Sequence, residues 1–367
     1  MAGVVALGPA LLAGVPATAQ SAGSSGSSGS GVLLTGAQFE HLCTPTDPAL
    51  EELSGLAVLG GKMYGIGDSG TDDFVTVMGD DCATVGTLPV PVEPYDIEDM
   101  GVGADGRLWL SDTGDNLRER QTVALISLDP ASGDGQLHRL TYPDGPHDAE
   151  TLLIQRDGVP LIVTKEVLVA NGIYRPAGGA SLDGLASPGP TALERVGQVR
   201  LGPTGTPGGP VPIGGSTLVT GGAVSADGTV AAVRTYTDVY LFSAPDGDLG
   251  RALTTTTPVR VALPNEPQGE ALAFTPDGDL LAGSESAGGP LPPLQVLHGA
   301  VDLARDASWA GGSVSLSASV GESVTTDASG EDAGVSRWST PALLGGALVA
   351  GLATFGLVLR RSRSRGH

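Results

Sequence analysis

The 367-residue chain carries 41 Asp and Glu against 19 Lys and Arg, a formal net charge of −22. So acidic a molecule repels phosphate backbones and anionic surfaces, which excludes nucleic acid as an expected partner. The only cysteines, Cys43 and Cys82, lie too far apart in sequence to form a metal-binding pair of their own; in an exported protein they are expected to pair as a disulfide.

In chain order, residues 1–19, "MAGVVALGPALLAGVPATA", form an apolar run closing in Ala17-Thr18-Ala19, the small-x-small pattern of a signal-peptidase site. A signal peptide is expected there, and because no Lys or Arg precedes the run the translation start is expected upstream of Met1. Residues 20–37, with "SAGSSGSSGSG", read as a flexible Gly/Ser linker.

Residues 38–305 are short apolar runs divided by Gly, Asp and Pro, an all-β pattern. Five stretches share one frame: "SGLAVLGGKMYGIGDSG" from Ser54, "EDMGVGADGRLWLSDTG" from Glu98, "ETLLIQRDGVPLIVTKE" from Glu150, "TGGAVSADGTVAAVRTY" from Thr220 and "EALAFTPDGDLLAGSES" from Glu270. Differences between successive start positions are 44, 52, 70 and 50 residues. Each frame predicts a hairpin whose turn is Asp-Gly at Asp105, Asp157, Asp227 and Asp277, with Gly61 in that slot of the first. Further β-rich runs follow several frames, so the spacing predicts four-stranded blades of a β-propeller. Five blades are expected, or six if a degenerate unit lies within 202–215. The Gly/Pro/Ser-rich "PAGGASLDGLASPGPTA" in the long third interval is expected to be a loop. "FEHLC", ending at Cys43, is expected to supply the outer strand of the last blade, with the Cys43–Cys82 bridge pinning the closure.

Residues 306–338, rich in Gly, Ser and acidic side chains, lack the bulky apolar content of a core and read as a disordered stalk. A transmembrane helix is predicted at 339–359, where "PALLGGALVAGLATFGLVL" is followed at once by Arg360, Arg361, Arg363 and Arg365 in a basic tail, 360–367. The expected topology is a single pass through the cell membrane, body outside and tail in the cytoplasm.

In a blade the first strand lines the channel and the second runs antiparallel to it. The start of one and the end of the other therefore reach the same face. The starts carry Ser54, Glu98, Glu150, Thr220 and Glu270; the ends carry Asp68, Asp112, Lys165, Arg234 and Glu285. Carboxylates crowded at one mouth repel unless a cation intervenes, and oxygen donors without His favour Ca2+ before Mg2+. The expected metal ligands are Asp68, Glu98, Asp112, Asp115, Asn116 and Glu150. Lys165, Arg234, Glu270 and Glu285 are expected to face a ligand, the two cations suiting a carboxylate or phosphate. The plain alternative is turn capping for the Asp residues and blade-to-blade ion pairing for the Glu residues. His147, in "HDAE", could act as a general base beside Glu150; an ordinary loop histidine is the alternative. There is no GxSxG elbow, zinc spacing or Walker loop, and no organic cofactor is expected.

"ELSGLAV" with "DSG", "DIEDM" with "DTGDN", "HDAETLL" and "QGEALAF" resemble bacterial secreted propellers related to the esterase-like phytase group and, more distantly, lactonase and strictosidine-synthase-like propellers. The resemblance spans about residues 43–300. It implies a propeller fold and, for the members with known activity, metal-dependent hydrolysis with acidic and Asn ligands at the channel mouth. Thr220 in the fourth Glu slot and Asn116 as the single Asn candidate depart from that pattern. The resulting expectation is a membrane-anchored extracellular propeller that binds a small or polymeric ligand, a cell-surface one included, through Ca2+. The alternative is a metal-dependent hydrolase of phosphate or carboxylic esters, in which Glu150 or Glu98 would activate water.

Overall fold

The computed structural model describes residues 27–310, apart from 30, 35, 69, 168 and 212–213. The expected signal peptide, membrane span and basic tail lie outside the described residues, as does the stalk beyond 310. No helix among the described residues is long and apolar enough to cross a membrane.

Three short strands come first: β1 (Ser27–Gly29), β2 (Val32–Leu33) and β3 (Glu40–Cys43). Five antiparallel units of like design follow. The first is β4 (Leu53–Leu59), β5 (Lys62–Gly67), β6 (Phe74–Met78) and β7 (Thr84–Pro89); the second is β8 (Ile97–Val102), β9 (Leu108–Asp112), β10 (Val123–Leu128) and β11 (Gly135–Thr141). The third is β12 (Ala149–Ile154), β13 (Pro160–Thr164), β14 (Asn171–Pro176) and β15 (Thr191–Leu201). In the fourth, β16 (Val219–Val224), β17 (Val230–Thr235) and β18 (Asp238–Ser243) lead through helix α1 (Leu249–Thr255) to β19 (Val259–Ala262). The fifth has β20 (Gln268–Phe274), β21 (Leu280–Glu285) and β22 (Leu294–Leu297), and takes its outer strand from the N-terminus, where β3 pairs with β22. Helix α2 (Ala300–Ala310) ends the described chain.

The hairpins obey simple turn chemistry. After Asp105, Gly106 takes φ 80°, a left-handed conformation that costs glycine little, and Asp105 Oδ1 accepts from the Arg107 amide at 3.1 Å. The innermost strands pack in a cycle, β4 on β8, β8 on β12, β12 on β16, β16 on β20 and β20 back on β4. Four-stranded sheets set radially about such a cycle make a β-propeller. Apolar clusters fill the wedges between neighbouring sheets; Leu53, Leu56 and Met63 meet Ala271, Ala273 and Leu281 where the fifth unit joins the first.

The disulfide is present, with Cα atoms 5.7 Å apart. Cys43 ends the borrowed strand β3 and Cys82 lies between β6 and β7, so the bond ties the closing strand to the first unit. It closes a loop of sequence separation 39, and losing it in the Cys43→Ser/Cys82→Ser variant is expected to cost about 2–4 kcal/mol in denaturant unfolding.

Two expectations about extent change. The Gly/Ser linker is not free throughout: β1 pairs in parallel with β15 and β2 with β19, because an exposed sheet edge accepts any backbone with free N–H and C=O groups. The stalk does not begin at 306, since α2 continues to Ala310. No strand occurs in the described part of 202–215, where a sixth unit was the alternative.

Candidate metal centre

Each innermost strand breaks register with its partner at the same place. The irregularity falls at Ser54, Glu98, Glu150 and Thr220, and spans Glu270–Ala271 in the fifth unit. An extra residue in one strand re-aims a side chain, and the repeat of this device explains why residues far apart in sequence converge at one mouth. Ser54 Oγ and Thr220 Oγ1 use the position to bond the next unit, donating to the carbonyls of Glu98 (2.8 Å) and Gly269 (2.9 Å). The three glutamates bring charge instead.

Two acidic groups result. Donor oxygens of Asp68, Asp96 and Glu98 lie within 4.8 Å of one another, as do those of Glu98, Asp148 and Glu150, with Glu98 common to both. All but Asp68 are buried. Burial pushes Asp96 far above the ordinary carboxylate range, and Asp68 adds repulsion and a shared hydrogen bond. Glu98 is driven well up by burial and then by Glu150, Asp96, Asp68 and Asp148. Burial likewise raises Glu150 and Asp148, with Lys165 opposing in each case. Burial disfavours charge on Lys165, yet Glu150, to which its Nζ is hydrogen-bonded, together with Tyr236, Glu270 and Asp148 outweighs it and holds the ammonium protonated. Glu270 and Glu285 form a second buried carboxyl pair, raised first by burial and bridged by Gln268 Nε2, 2.6 Å from Glu285 Oε1 and 3.5 Å from Glu270 Oε1.

The site fits a hard divalent cation on two further observations. Glu150 Oε2 is buried with no hydrogen-bond partner among the described residues, which is costly for a carboxylate oxygen unless something positive meets it. Gly114 keeps the cradle open: a β-carbon there would collide with Glu98 Oε1 and Asp96 Oδ2. Gly114→Ala is therefore expected to remove any stabilisation by added Ca2+, read as the shift in melting temperature.

The expected site residues divide. Asp68, Glu98, Glu150, Lys165, Glu270 and Glu285 are brought together. Asp112 instead accepts from the Asp96 amide (3.0 Å) and Arg120 Nη2 (2.9 Å). Asp115 is spent on the amides of Glu119 (2.9 Å) and Arg120 (2.8 Å), as local turn chemistry favours. Asn116 is exposed on the same loop. Arg234 faces no ligand: it is fully buried, with Nη1 on the carbonyls of Ala271 (3.0 Å) and Gly283 (2.9 Å) and Nη2 paired to Glu266. His147 is held away from a base's role. Nδ1 is 3.0 Å from Glu166 Oε1 and Nε2 is 3.2 Å from Asp144 Oδ1, and Glu166 raises its pKa.

Asp96 and Asp148 escaped the sequence reading. The signal was there: "DIE" and "DAE" place an Asp two residues before the inward Glu in the second and third units, and Gln268 of "QGE" fills that slot in the fifth.

No family model matches the chain, and no curated protein sequence matches it. Solved structures of similar form include a luciferin-regenerating enzyme (16% identity, 66% of this chain and 76% of that one, TM-score 0.37). A gluconolactonase from Xanthomonas campestris is also among them (16% identity, 68% and 80%, TM-score 0.36). A third is a PQQ-bound aldose sugar dehydrogenase from Streptomyces coelicolor (10% identity, 70% and 96%, TM-score 0.38). Of the groups the sequence resembles, lactonase-type propellers are represented here. Similarity this low transfers no activity, and the fold rests on the strand topology itself.

Proposed function

We propose that the chain is a five-bladed propeller hydrolase of carboxylic or phosphate esters, lactones included, working at its acidic mouth with a hard divalent cation, Ca2+ first. The carrying observation is Glu150 Oε2, a buried oxygen without a hydrogen-bond partner among the described residues, inside paired acidic groups. Asp68, Asp96, Glu98, Asp148 and Glu150 would hold the cation, which when bound supplies a Lewis acid for a carbonyl or phosphoryl oxygen. Lys165, kept protonated beside Glu150, offers positive charge to a developing oxyanion. The Glu270–Glu285 pair, raised in pKa, retains a proton for a leaving group. The disulfide supports an exported body; the signal peptide at 1–19 and the anchor at 339–359 are read from sequence.

The test is turnover of generic esters, lactones and p-nitrophenyl phosphate with Ca2+ or with chelator. We expect chelation to stop turnover and Glu150→Gln to lower it about 10²–10⁴-fold, with the circular dichroism spectrum unchanged. Turnover indifferent to both would overturn the proposal. Stabilisation by Ca2+ without turnover of any substrate would favour a propeller that only binds its ligand.

A further inference from the structure

A cavity of about 660 Å³ opens on the second unit, lined by Trp109, His138, Gln136, Asp105, Asp129 and Asp183 among others. Asp105 sits in the β8–β9 turn, whereas Glu98 stands at the other end of β8, so the cavity lies at the end of the blade remote from the acidic mouth. None of its residues belongs to the proposed metal centre.

Its chemistry is specific. Trp109 is only 3% exposed, and its Nε1–H, buried, has no hydrogen-bond partner among the described residues. Leaving such a donor unmet costs about 1–3 kcal/mol, so a feature of this kind marks a place where an acceptor belongs. The imidazole of His138 packs against the indole, ring centroids 5.2 Å apart. His138 Nδ1 lies 3.3 Å from the Ala186 carbonyl, which can only accept; the ring therefore donates from Nδ1 and keeps Nε2 as an acceptor. Asp105 and Asp129 are fixed by the amides of their own turns, Arg107 at 3.1 Å and Ala131 at 2.8 Å. Gln136 and Asp183 are exposed at the cavity and offer a mixed amide and a carboxylate.

We propose that this cavity is a second binding site, for a neutral polyhydroxylated ligand: a sugar, free or as a residue of a glycan. Hydroxyl groups both donate and accept, which matches the indole and Arg107 guanidinium donors set among carboxylate acceptors and an amide. The three carboxylates outnumber the one guanidinium of the lining, Arg107, which is already paired to Asp105 at 3.5 Å, so an anion is repelled, and an apolar ligand would leave the indole N–H and the carboxylates unmet.

The experiment is calorimetric titration of the full chain with glucose, galactose, maltose and trehalose, and with a soluble glucan to separate free sugar from polymer. At least one should bind saturably. Affinity should fall about tenfold in each of Gln136→Ala, Asp183→Ala and Trp109→Phe. The first two are surface changes that test the site even if Trp109→Phe fails to fold. Glu150→Gln should leave sugar binding unchanged, so failure here and failure at the mouth are distinguishable. No saturation by any of these up to about 100 mM, affinity unchanged from the parent in both surface variants, or stronger binding of choline than of every sugar would overturn the assignment.

Discussion

Glu98→Gln is expected to weaken Ca2+ binding about 100-fold or more, near 2.7 kcal/mol, while making the cation-free protein more stable than the parent. Both effects come from one position. Glu98 belongs to both acidic groups, so losing its charge depletes the whole donor set. Without a cation, that same charge is a liability, since burial and four neighbouring carboxylates drive its pKa well up. Gln keeps the shape and removes the repulsion. A melting curve with chelator and another with Ca2+ check the two signs together, and an ordinary structural Glu would show neither.

The direction with pH follows from the same groups. Asp96, Glu98, Asp148, Glu150, Glu270 and Glu285 all have raised pKa values, chiefly through burial. Above the unfolded carboxylate range, at about pH 4, the folded chain therefore holds more protons than the unfolded chain. This contribution is complete below that range and is lost as pH rises through the raised values. In chelator, stability should fall from mildly acidic toward neutral pH, and Ca2+ should flatten the fall by replacing the protons.

Arg234→Ala carries the second large effect, an expected loss of about 3–5 kcal/mol in denaturant unfolding. The guanidinium is fully buried and joins the fourth unit to the fifth through Ala271, Gly283 and Glu266. Removing it strands Glu266, whose pKa burial already raises and which Arg234 holds down. Arg234→Met with Glu266→Gln should recover part of the loss, because no buried charge is then left alone. A cost below about 1 kcal/mol for Arg234→Ala would contradict the inter-unit role.

Hairpin frames were legible in the sequence because Asp-Gly turns and apolar runs recur at fixed offsets, and β3 was legible because "FEHLC" precedes the first frame. The inward direction of Glu98, Glu150 and Glu270 followed from the same frame. What sequence could not show was where a side chain is already satisfied. Asp112 and Asp115 look like ligands until Arg120 and the loop amides claim them. Arg234 occupies a rim position in the frame, but its partner Glu266 lies in the loop before β20 and has no place in the repeat. Pairing of β1 and β2 depends on backbone alone and leaves no compositional trace.

The most direct measurement is calorimetric titration of the chelator-stripped protein with Ca2+ near neutral pH, in two buffers of different ionisation enthalpy. Saturable binding that releases protons, and is lost in Glu98→Gln, is the expected result. Absence of binding at millimolar Ca2+, or binding with no proton release that survives Glu98→Gln, would contradict a cation site at the channel mouth.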